Sequence, residues 1–264
     1  MKQSVPVDRS HVVGATDIPL SDDTIPALLA RAVAANPDRD AVIFREQSIR
    51  WTWRAFADQV DQLAAGLLAR GIRRGDRVGI WSPNRAEWLV TQFATARIGA
   101  ILVNINPAYR QAELDYALNK SGVRMLITAT RFKSSLYIEM LQALAPELAD
   151  ATPGQLRASR LPNLQFVVRM GDDTTPGMLN YADLLQPAES TTLDALTRQL
   201  DPHATLVLSA AMPNSARISG KAGSIRSMPS AVVAMSAVTN SMNSRSPVAR
   251  RAGVGDSSTI TPSP

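Results

Sequence analysis

The fold is decided by residues 77–128, which read RVGIWSPNRAEWLVTQFATARIGAILVNINPAYRQAELDYALNKSGVRMLIT. Short apolar runs in this stretch alternate with amphipathic segments of helical period. The runs predict three strands, Val78–Trp81, Ile101–Asn104 and Met125–Thr128, and the segments between them predict helices over 85–97 and 111–120. Strands that alternate with helices form parallel β-α-β units with right-handed crossovers. The sequence therefore predicts an α/β fold, a parallel sheet with covering helices.

Upstream of this stretch, the sequence predicts a helix and a β-hairpin. Residues 24–36 have apolar side chains at helical spacing, a proline near the first turn and an Asn-Pro stop. Two β-rich runs, 41–44 and 49–53, are joined by four polar residues and predict a hairpin. Alternation along the second strand predicts that Trp51 and Trp53 share one face.

Two helix boundaries are predicted from local signals. The amphipathic segment 54–70 predicts a long helix that ends at Gly71. For the helix over 85–97, Asn84 followed three residues later by Glu87 predicts an N-cap with a glutamate that reaches back to it.

The chain changes character near Pro202. Before it we predict a helix over 133–148, a strand over 164–168 and a helix over 193–200. All four Trp, all four Tyr and all five Phe lie at or before Tyr181, so no aromatic side chain can anchor a core after it. We therefore predict a leader over residues 1–20, one ordered domain over 21–202 and a disordered tail, rich in Ser, Ala, Arg, Gly and Pro, over 203–264.

The charge distribution argues against a nucleic-acid partner. The formal net charge is +5 and the sequence pI is about 10.0. Six basic residues and one acid after Asp201 account for all of this excess, so the ordered segment is neutral. Recognition of phosphate backbones needs basic side chains on an ordered face.

The composition also excludes several kinds of site and gives no sign of export or of a membrane-spanning segment. The chain has no cysteine, which excludes disulfides, thiolate metal sites and cysteine nucleophiles. No signal-peptide core occurs in the first 20 residues, and no run of eighteen apolar residues occurs anywhere. We expect a cytoplasmic protein without a transmembrane segment.

Several short blocks, in a fixed order, carry a family resemblance. They are Trp51–Phe56 (WTWRAF), Gly75–Val78 (GDRV), Ser82–Asn84 (SPN), Ile98–Arg110 (IGAILVNINPAYR) and Glu113–Leu118 (ELDYAL). Over about residues 20–202 the chain resembles the AMP-dependent synthetase and ligase family, and the Asn-Pro-x-Tyr-Arg-x-x-Glu-Leu string is similar to its fatty acyl-CoA synthetase branch. The resemblance implies the fold of the N-terminal subdomain of an adenylate-forming enzyme.

The resemblance also implies a chemistry that this sequence lacks. Family members join a fatty acid to AMP from ATP with magnesium and then to coenzyme A, using a phosphate loop of the form Ser/Thr-Gly-Thr-Thr-Gly-x-Pro-Lys-Gly. No such loop occurs here, nor do the later family words that contact AMP and magnesium. The nearest string, Ser219-Gly220-Lys221-Ala222-Gly223, lacks the Thr-Thr-Gly core and is interpreted as coincidence. We expect no bound cofactor in this fragment.

We assign no catalytic, cofactor-binding or metal-binding residue from the sequence. The one loop with a functional interpretation is Asn106–Arg110, because it follows a strand at the edge where open α/β sheets bind ligands; a structural role explains it as well. Glu113, Tyr116 and Lys120 share a helix face, and a solvated, ion-paired surface explains them. His11 and His203 are isolated in the sequence.

Three hypotheses for function follow. The first is a truncated AMP-forming fatty acyl-CoA synthetase, inactive by itself; a reading-frame change near codon 203 would account for both halves. The alternative is a non-catalytic interaction module that pairs with a chain carrying the rest of the enzyme. The third is a working ligase with an aberrant loop. An incomplete sheet would also leave an exposed edge, which predicts self-association.

Overall fold

The computed structural model describes residues 22–210 and 226–227. Within these residues the strands are β1 (Asp40–Phe44), β2 (Ile49–Thr52), β3 (Arg77–Trp81), β4 (Ile101–Ile105), β5 (Met125–Thr128), β6 (Arg131–Phe132), β7 (Ser135–Leu136), β8 (Phe166–Arg169), β9 (Leu179–Asn180), β10 (Val207–Ala210) and β11 (Arg226–Ser227). The helices are α1 (Ile25–Ala35), α2 (Trp53–Ala69), α3 (Ala86–Arg97), α4 (Gln111–Ser121), α5 (Tyr137–Leu144) and α6 (Ser190–Thr197), with short 3-10 helices at Arg45–Gln47, Pro146–Ala149 and Tyr181–Leu184.

Seven of these strands form the central sheet, in the order β11-β10-β4-β3-β5-β8-β9. Every neighbouring pair is parallel except β10 with β11. The predicted α/β class with a parallel sheet is confirmed. In the sheet, β4 lies on one side of β3 and β5 lies on the other. The connection from β3 to β4, which contains α3, and the connection from β4 to β5, which contains α4, therefore run in opposite directions across the sheet. Right-handed crossovers therefore place α3 and α4 on opposite faces of the sheet.

The core lies between this sheet and its two helical layers. All four residues of β5 are buried, as are all four of β8, which explains why the first three residues of each strand are apolar rather than alternating. Helices α1, α2 and α3 pack against one another, while α4 packs against α5. Among the residues that the structure describes, no helix is long and apolar enough to cross a membrane.

The β1–β2 hairpin forms as predicted, with Phe44 opposite Ile49, but it ends one residue earlier. Trp53 begins α2, because the Thr52 hydroxyl accepts a hydrogen bond from the Ala55 amide (3.2 Å) and caps the helix. The prediction that Trp51 and Trp53 share one face of the hairpin is therefore wrong.

The N-terminus of α3 is capped by a distant residue rather than by Asn84. The side-chain oxygen of Gln47 accepts a hydrogen bond from the Ala86 amide (2.8 Å). Its nitrogen donates to Glu87 (2.9 Å), and the Glu87 carboxylate also binds Arg85 (2.9 Å). The predicted capping pair is therefore wrong, since Glu87 is held by these side chains and the cap comes from the β1–β2 connection.

The predicted helix over 133–148 is shorter than expected at both ends. Lys133 has a positive φ of 51° in the turn of the β6–β7 hairpin, so α5 begins only at Tyr137. At the other end, Pro146 lacks an amide hydrogen and cannot continue the α-helix. Helix α5 therefore ends at Leu144, and a 3-10 helix follows from Pro146.

The central sheet continues beyond the predicted domain boundary at Pro202. Residues of β10 pair in parallel with β4, from Val207 opposite Leu102 to Ala210 opposite Ile105. The ordered domain therefore extends at least to Ala210. The leader over 1–20 and most of the predicted disordered tail lie outside the described residues.

Candidate functional site

The carboxyl ends of the parallel strands define the candidate site. At this edge β3 is followed by Ser82-Pro83-Asn84, β4 by the loop Asn106–Arg110 and β5 by Ala129 and Thr130. Open parallel sheets bind ligands at this edge, in the loops that follow the strands. The predicted candidate loop thus lies where its position in the sequence indicated.

The Asn106–Arg110 loop uses its own polar groups to form a turn. The Asn106 backbone oxygen accepts a hydrogen bond from the Tyr109 amide (3.0 Å), and its side-chain oxygen accepts one from the Ala108 amide (2.9 Å). The ring of Tyr109 is buried, with 8% of the residue exposed. The local sequence therefore forms an Asx-type turn with an aromatic anchor.

Two stacked aromatic rings hold this loop in place by hydrogen bonds to its backbone. The rings of Trp81 and Tyr137 are nearly parallel, with centroids 3.6 Å apart. The Trp81 indole donates to the Asn106 backbone oxygen (3.1 Å), and the Tyr137 hydroxyl donates to the Pro107 oxygen. Burial raises the pKa of Tyr137 above its ordinary value, so the phenol keeps its proton as a donor. These contacts give the loop a structural role.

Tyr137→Phe is expected to lower the free energy of unfolding by about 1 kcal/mol, because the part-buried Pro107 oxygen loses its donor. Urea denaturation followed by circular dichroism measures this loss. Tyr116→Phe is the matched control, since the Tyr116 hydroxyl is also buried but has no hydrogen-bond partner among the described residues. Equal destabilisation by both variants would contradict the assignment of the Tyr137 bond.

Three basic side chains are exposed beside the loop: Arg110, Arg131 and Lys133. The Arg110 guanidinium lies 3.4 Å from the Ser134 hydroxyl, and that of Arg131 lies 3.4 Å from the Lys133 backbone oxygen, so the three share the β6–β7 turn. An anion near this edge would be attracted by them. Exposed lysine and arginine side chains without a buried anchor hold an anion weakly in water.

The helix face that carries Glu113, Tyr116 and Lys120 is a surface of α4. The Glu113 carboxylate accepts a hydrogen bond from the Arg110 amide (2.8 Å) and so helps to cap the helix. Lys120 is exposed. An ion pair on this helix joins Asp115 to Arg160 (2.6 Å). Lys120 is exposed as predicted, but the ion pair described on α4 is made by Asp115, which was not among the predicted residues, and the Tyr116 hydroxyl is buried.

The remaining candidates do not meet at this site. His203 is exposed, and its amide donates to the Asp201 carboxylate (2.8 Å). Within residues 22–210 and 226–227, no group of three or more histidine or acidic side chains is placed to hold a metal ion. His11 and the string Ser219–Gly223 lie outside the described residues. The sequence analysis does not predict the contacts of Trp81 and Tyr137, although a buried indole usually has a hydrogen-bond acceptor.

Sequence comparisons with known proteins identify relatives of this chain. The AMP-binding enzyme family matches residues 29–195. The medium-chain acyl-CoA ligase ACSF2, mitochondrial, of Danio rerio is 43% identical over 188 residues, covering 71% of this chain and 31% of the relative. The protein of the same name from Mus musculus is 39% identical over 176 residues, covering 67% of this chain and 28% of the relative.

A solved structure agrees in fold. The anthranilate CoA ligase AuaEII, in complex with anthranoyl-AMP, superposes with a TM-score of 0.56 at 22% identity, covering 74% of this chain and 33% of that chain. At this identity the likeness shows the fold alone. The chain thus spans about a third of the length of the curated relatives that it matches. Those relatives are named as mitochondrial, and the cytoplasmic location stays a prediction.

Proposed function

The chain belongs to the AMP-binding enzyme family, and on that basis we propose that it supplies the N-terminal portion of an AMP-forming fatty acyl-CoA ligase without forming the acyl adenylate by itself. The two relatives compared above are medium-chain acyl-CoA ligases, and this chain covers the N-terminal part of them. The full reaction would join a fatty acid to AMP and then to coenzyme A.

The observation that carries this proposal is the sequence that follows β10. Formation of an acyl adenylate needs preorganised positive charge and backbone donors around the ATP phosphates. In the family a glycine-rich phosphate loop follows an apolar strand in this position of the chain. Here the strand is present, but the residues after Ser209 read Ala-Ala-Met-Pro, and no Thr-Thr-Gly string occurs in the 264 residues.

Exchange of pyrophosphate into ATP tests the proposal. The purified chain is incubated with ATP, magnesium, labelled pyrophosphate and a medium-chain fatty acid, and a complete acyl-CoA ligase serves as the positive control. We expect no exchange above a sample without protein, because the adenylate does not form. Exchange that depends on the fatty acid would contradict the proposal.

A second candidate function is that of an interaction module that pairs with a chain carrying the rest of the enzyme. The supporting observation is strand β10, which pairs along its whole length with β4. On its other side, within the part of the chain that the structure describes, two of its residues, Leu208 and Ser209, pair with β11. A strand with an incompletely paired edge accepts a further strand readily.

Co-expression with the C-terminal two thirds of a related ligase separates the two candidates. Co-purification with restored pyrophosphate exchange supports the module. Elution of the chain by itself, without exchange in the mixture, contradicts it. Self-association through the same edge is a third outcome, and light scattering would detect it as a mass of two or more chains.

A further inference from the structure

The β6–β7 hairpin, which follows β5 at the carboxyl edge of the sheet, has two different faces. Arg131 lies opposite Leu136 in the antiparallel pair, and Phe132 lies opposite Ser135. Because side chains alternate along a strand, the first pair shares one face and the second pair shares the other. Ser135 is buried and Phe132 is half-buried, whereas Arg131 and Leu136 are exposed. The hairpin therefore presents an arginine and a leucine side by side to water.

The exposed leucine belongs to a small group. Leu136 is 41% exposed, and Ile43 on β1 is the other large apolar side chain that is exposed in the part of the chain that the structure describes. A single exposed apolar side chain is common on protein surfaces and indicates no function by itself. What distinguishes Leu136 is the charge of its neighbours.

Three cations lie near this leucine. Arg131 is opposite it, Lys133 is in the turn of the hairpin, and Arg110 reaches that turn from the neighbouring loop, 3.4 Å from the Ser134 hydroxyl. Within residues 22–210 and 226–227, the ion pairs are made by other basic side chains than these three. The sequence contains no acidic residue from 116 to 138. The hairpin thus has no carboxylate of its own to neutralise its charge.

The surface of a membrane with anionic lipids fits this combination better than a dissolved anion does. Exposed cations hold a single anion weakly in water. A membrane presents many phosphates at once, and each lysine or arginine near it strengthens binding by about fivefold. Beneath the phosphates lies an apolar layer, into which an exposed leucine can insert. An acidic peptide or a nucleic acid offers the charge without that layer.

We propose that the β6–β7 hairpin binds the surface of a membrane that contains anionic lipids. Leu136 inserts among the head groups, while Arg110, Arg131 and Lys133 contact the lipid phosphates. The contact is peripheral and reversible, because it combines a few charges with one apolar side chain. The proposal does not depend on the adenylation chemistry.

Flotation of the full chain with phospholipid vesicles tests the proposal. Vesicles of phosphatidylcholine are compared with vesicles of an equimolar mixture of phosphatidylcholine and phosphatidylglycerol. We expect the mixed vesicles to bind the chain at least about tenfold more strongly at low salt. This binding should weaken as added salt screens the charges. Equal binding to both kinds of vesicle, or binding to neither, would overturn the proposal.

A pair of charge-matched variants locates the contact. The basic residues that follow β10 in the sequence also attract anionic vesicles, so the control must remove the same charge elsewhere. Arg131→Gln combined with Lys133→Gln is expected to weaken binding by at least about tenfold. The control combines Lys120→Gln with Arg157→Gln, both exposed and both at the amino edge of the sheet. Lys120 is in the last turn of α4, before β5, and the residue beside Arg157 bonds to Gln165, directly before β8.

The control is expected to weaken binding by less than about threefold, because charges far from the contact are screened. Equal weakening by the two double variants would assign the binding to net charge and overturn the proposal. Circular dichroism of each variant checks that it is folded, as expected for substitutions of exposed side chains.

Leu136→Ser distinguishes a lipid surface from an acidic polymer. It is expected to weaken vesicle binding by at least about threefold, since a buried apolar side chain is lost from the contact. Binding of poly-aspartate, which has no apolar layer, should not change. Ile43→Ser is the control, because Ile43 is 51% exposed on a different hairpin. Equal effects of the two variants on vesicle binding, or binding of poly-aspartate without binding of vesicles, would overturn the proposal.

Discussion

Gly66→Ala is expected to lower the free energy of unfolding by about 3 kcal/mol or more, the upper end of the range for overpacked interiors. Gly66 lies in the last turn of α2, against the 3-10 helix Tyr181–Leu184. A Cβ atom at this position would lie 1.6 Å from the Leu184 backbone oxygen. Two backbones must therefore separate, which a rotamer change cannot achieve. Urea denaturation followed by circular dichroism measures the loss.

Helix propensity alone would make Gly66→Ala stabilising, so the sign of the measured change in the free energy of unfolding shows whether the close approach dominates. In an unobstructed helix, alanine in place of glycine stabilises by about 1 kcal/mol. Gly171→Ala is the control: Gly171 has a φ of 94° and no atom near the added Cβ, so only backbone strain of about 1–2 kcal/mol is expected. Stabilisation by Gly66→Ala would contradict the close approach.

Arg97→Ala is expected to lower the free energy of unfolding by about 2 kcal/mol, less than for a fully buried ion pair, because its two carboxylate partners are partly exposed to water. Arg97 is 13% exposed and binds the Asp61 carboxylate (2.9 Å) on α2 and that of Asp194 (2.7 Å) on α6. It also donates to the Thr197 hydroxyl (2.7 Å). Burial alone would lower the pKa of Arg97, and these two carboxylates raise it. The side chain joins three helices.

The chain offers a surface pair for comparison. Arg54 and Asp38 are both exposed and lie 3.4 Å apart, so Arg54→Ala is expected to cost less than about 1 kcal/mol. The urea midpoint should fall clearly for Arg97→Ala and little for Arg54→Ala, at an unchanged slope. A similar small change for both would show that Arg97 does not hold α6 in place.

The periodicity of the sequence predicts the α/β class and most elements because it reports local geometry and burial. Strand Met125–Thr128 has the predicted bounds, and α4 extends only one residue beyond its predicted end. One of the errors occurs where a distant residue decides the local structure. Gln47 caps α3 from 39 residues away, so the local Asn84 and Glu87 pattern gave the wrong cap. A contact between residues so far apart in the sequence cannot be predicted from local sequence patterns.

The domain boundary was misplaced for a related reason. Residues 207–210 form too short an apolar run to predict a strand without a following helix, and their order comes from pairing with β4. At the candidate site, the position of the loop after a strand could be predicted from the sequence. The hydrogen bonds that the loop makes with Trp81 and Tyr137 could not be predicted, since they depend on how strand β3 and helix α5 pack beside the loop.

We propose that this chain has the fold of the N-terminal subdomain of an acyl-CoA ligase but does not bind ATP or the acyl adenylate by itself. A thermal-shift titration of the purified chain with ATP-magnesium, and separately with a non-hydrolysable fatty acyl-AMP analogue, tests it most directly. A ligand that binds the native state but not the unfolded chain raises the melting temperature progressively as its concentration exceeds the dissociation constant. We predict a cooperative transition that neither ligand shifts, whereas a dose-dependent rise with either would contradict the account.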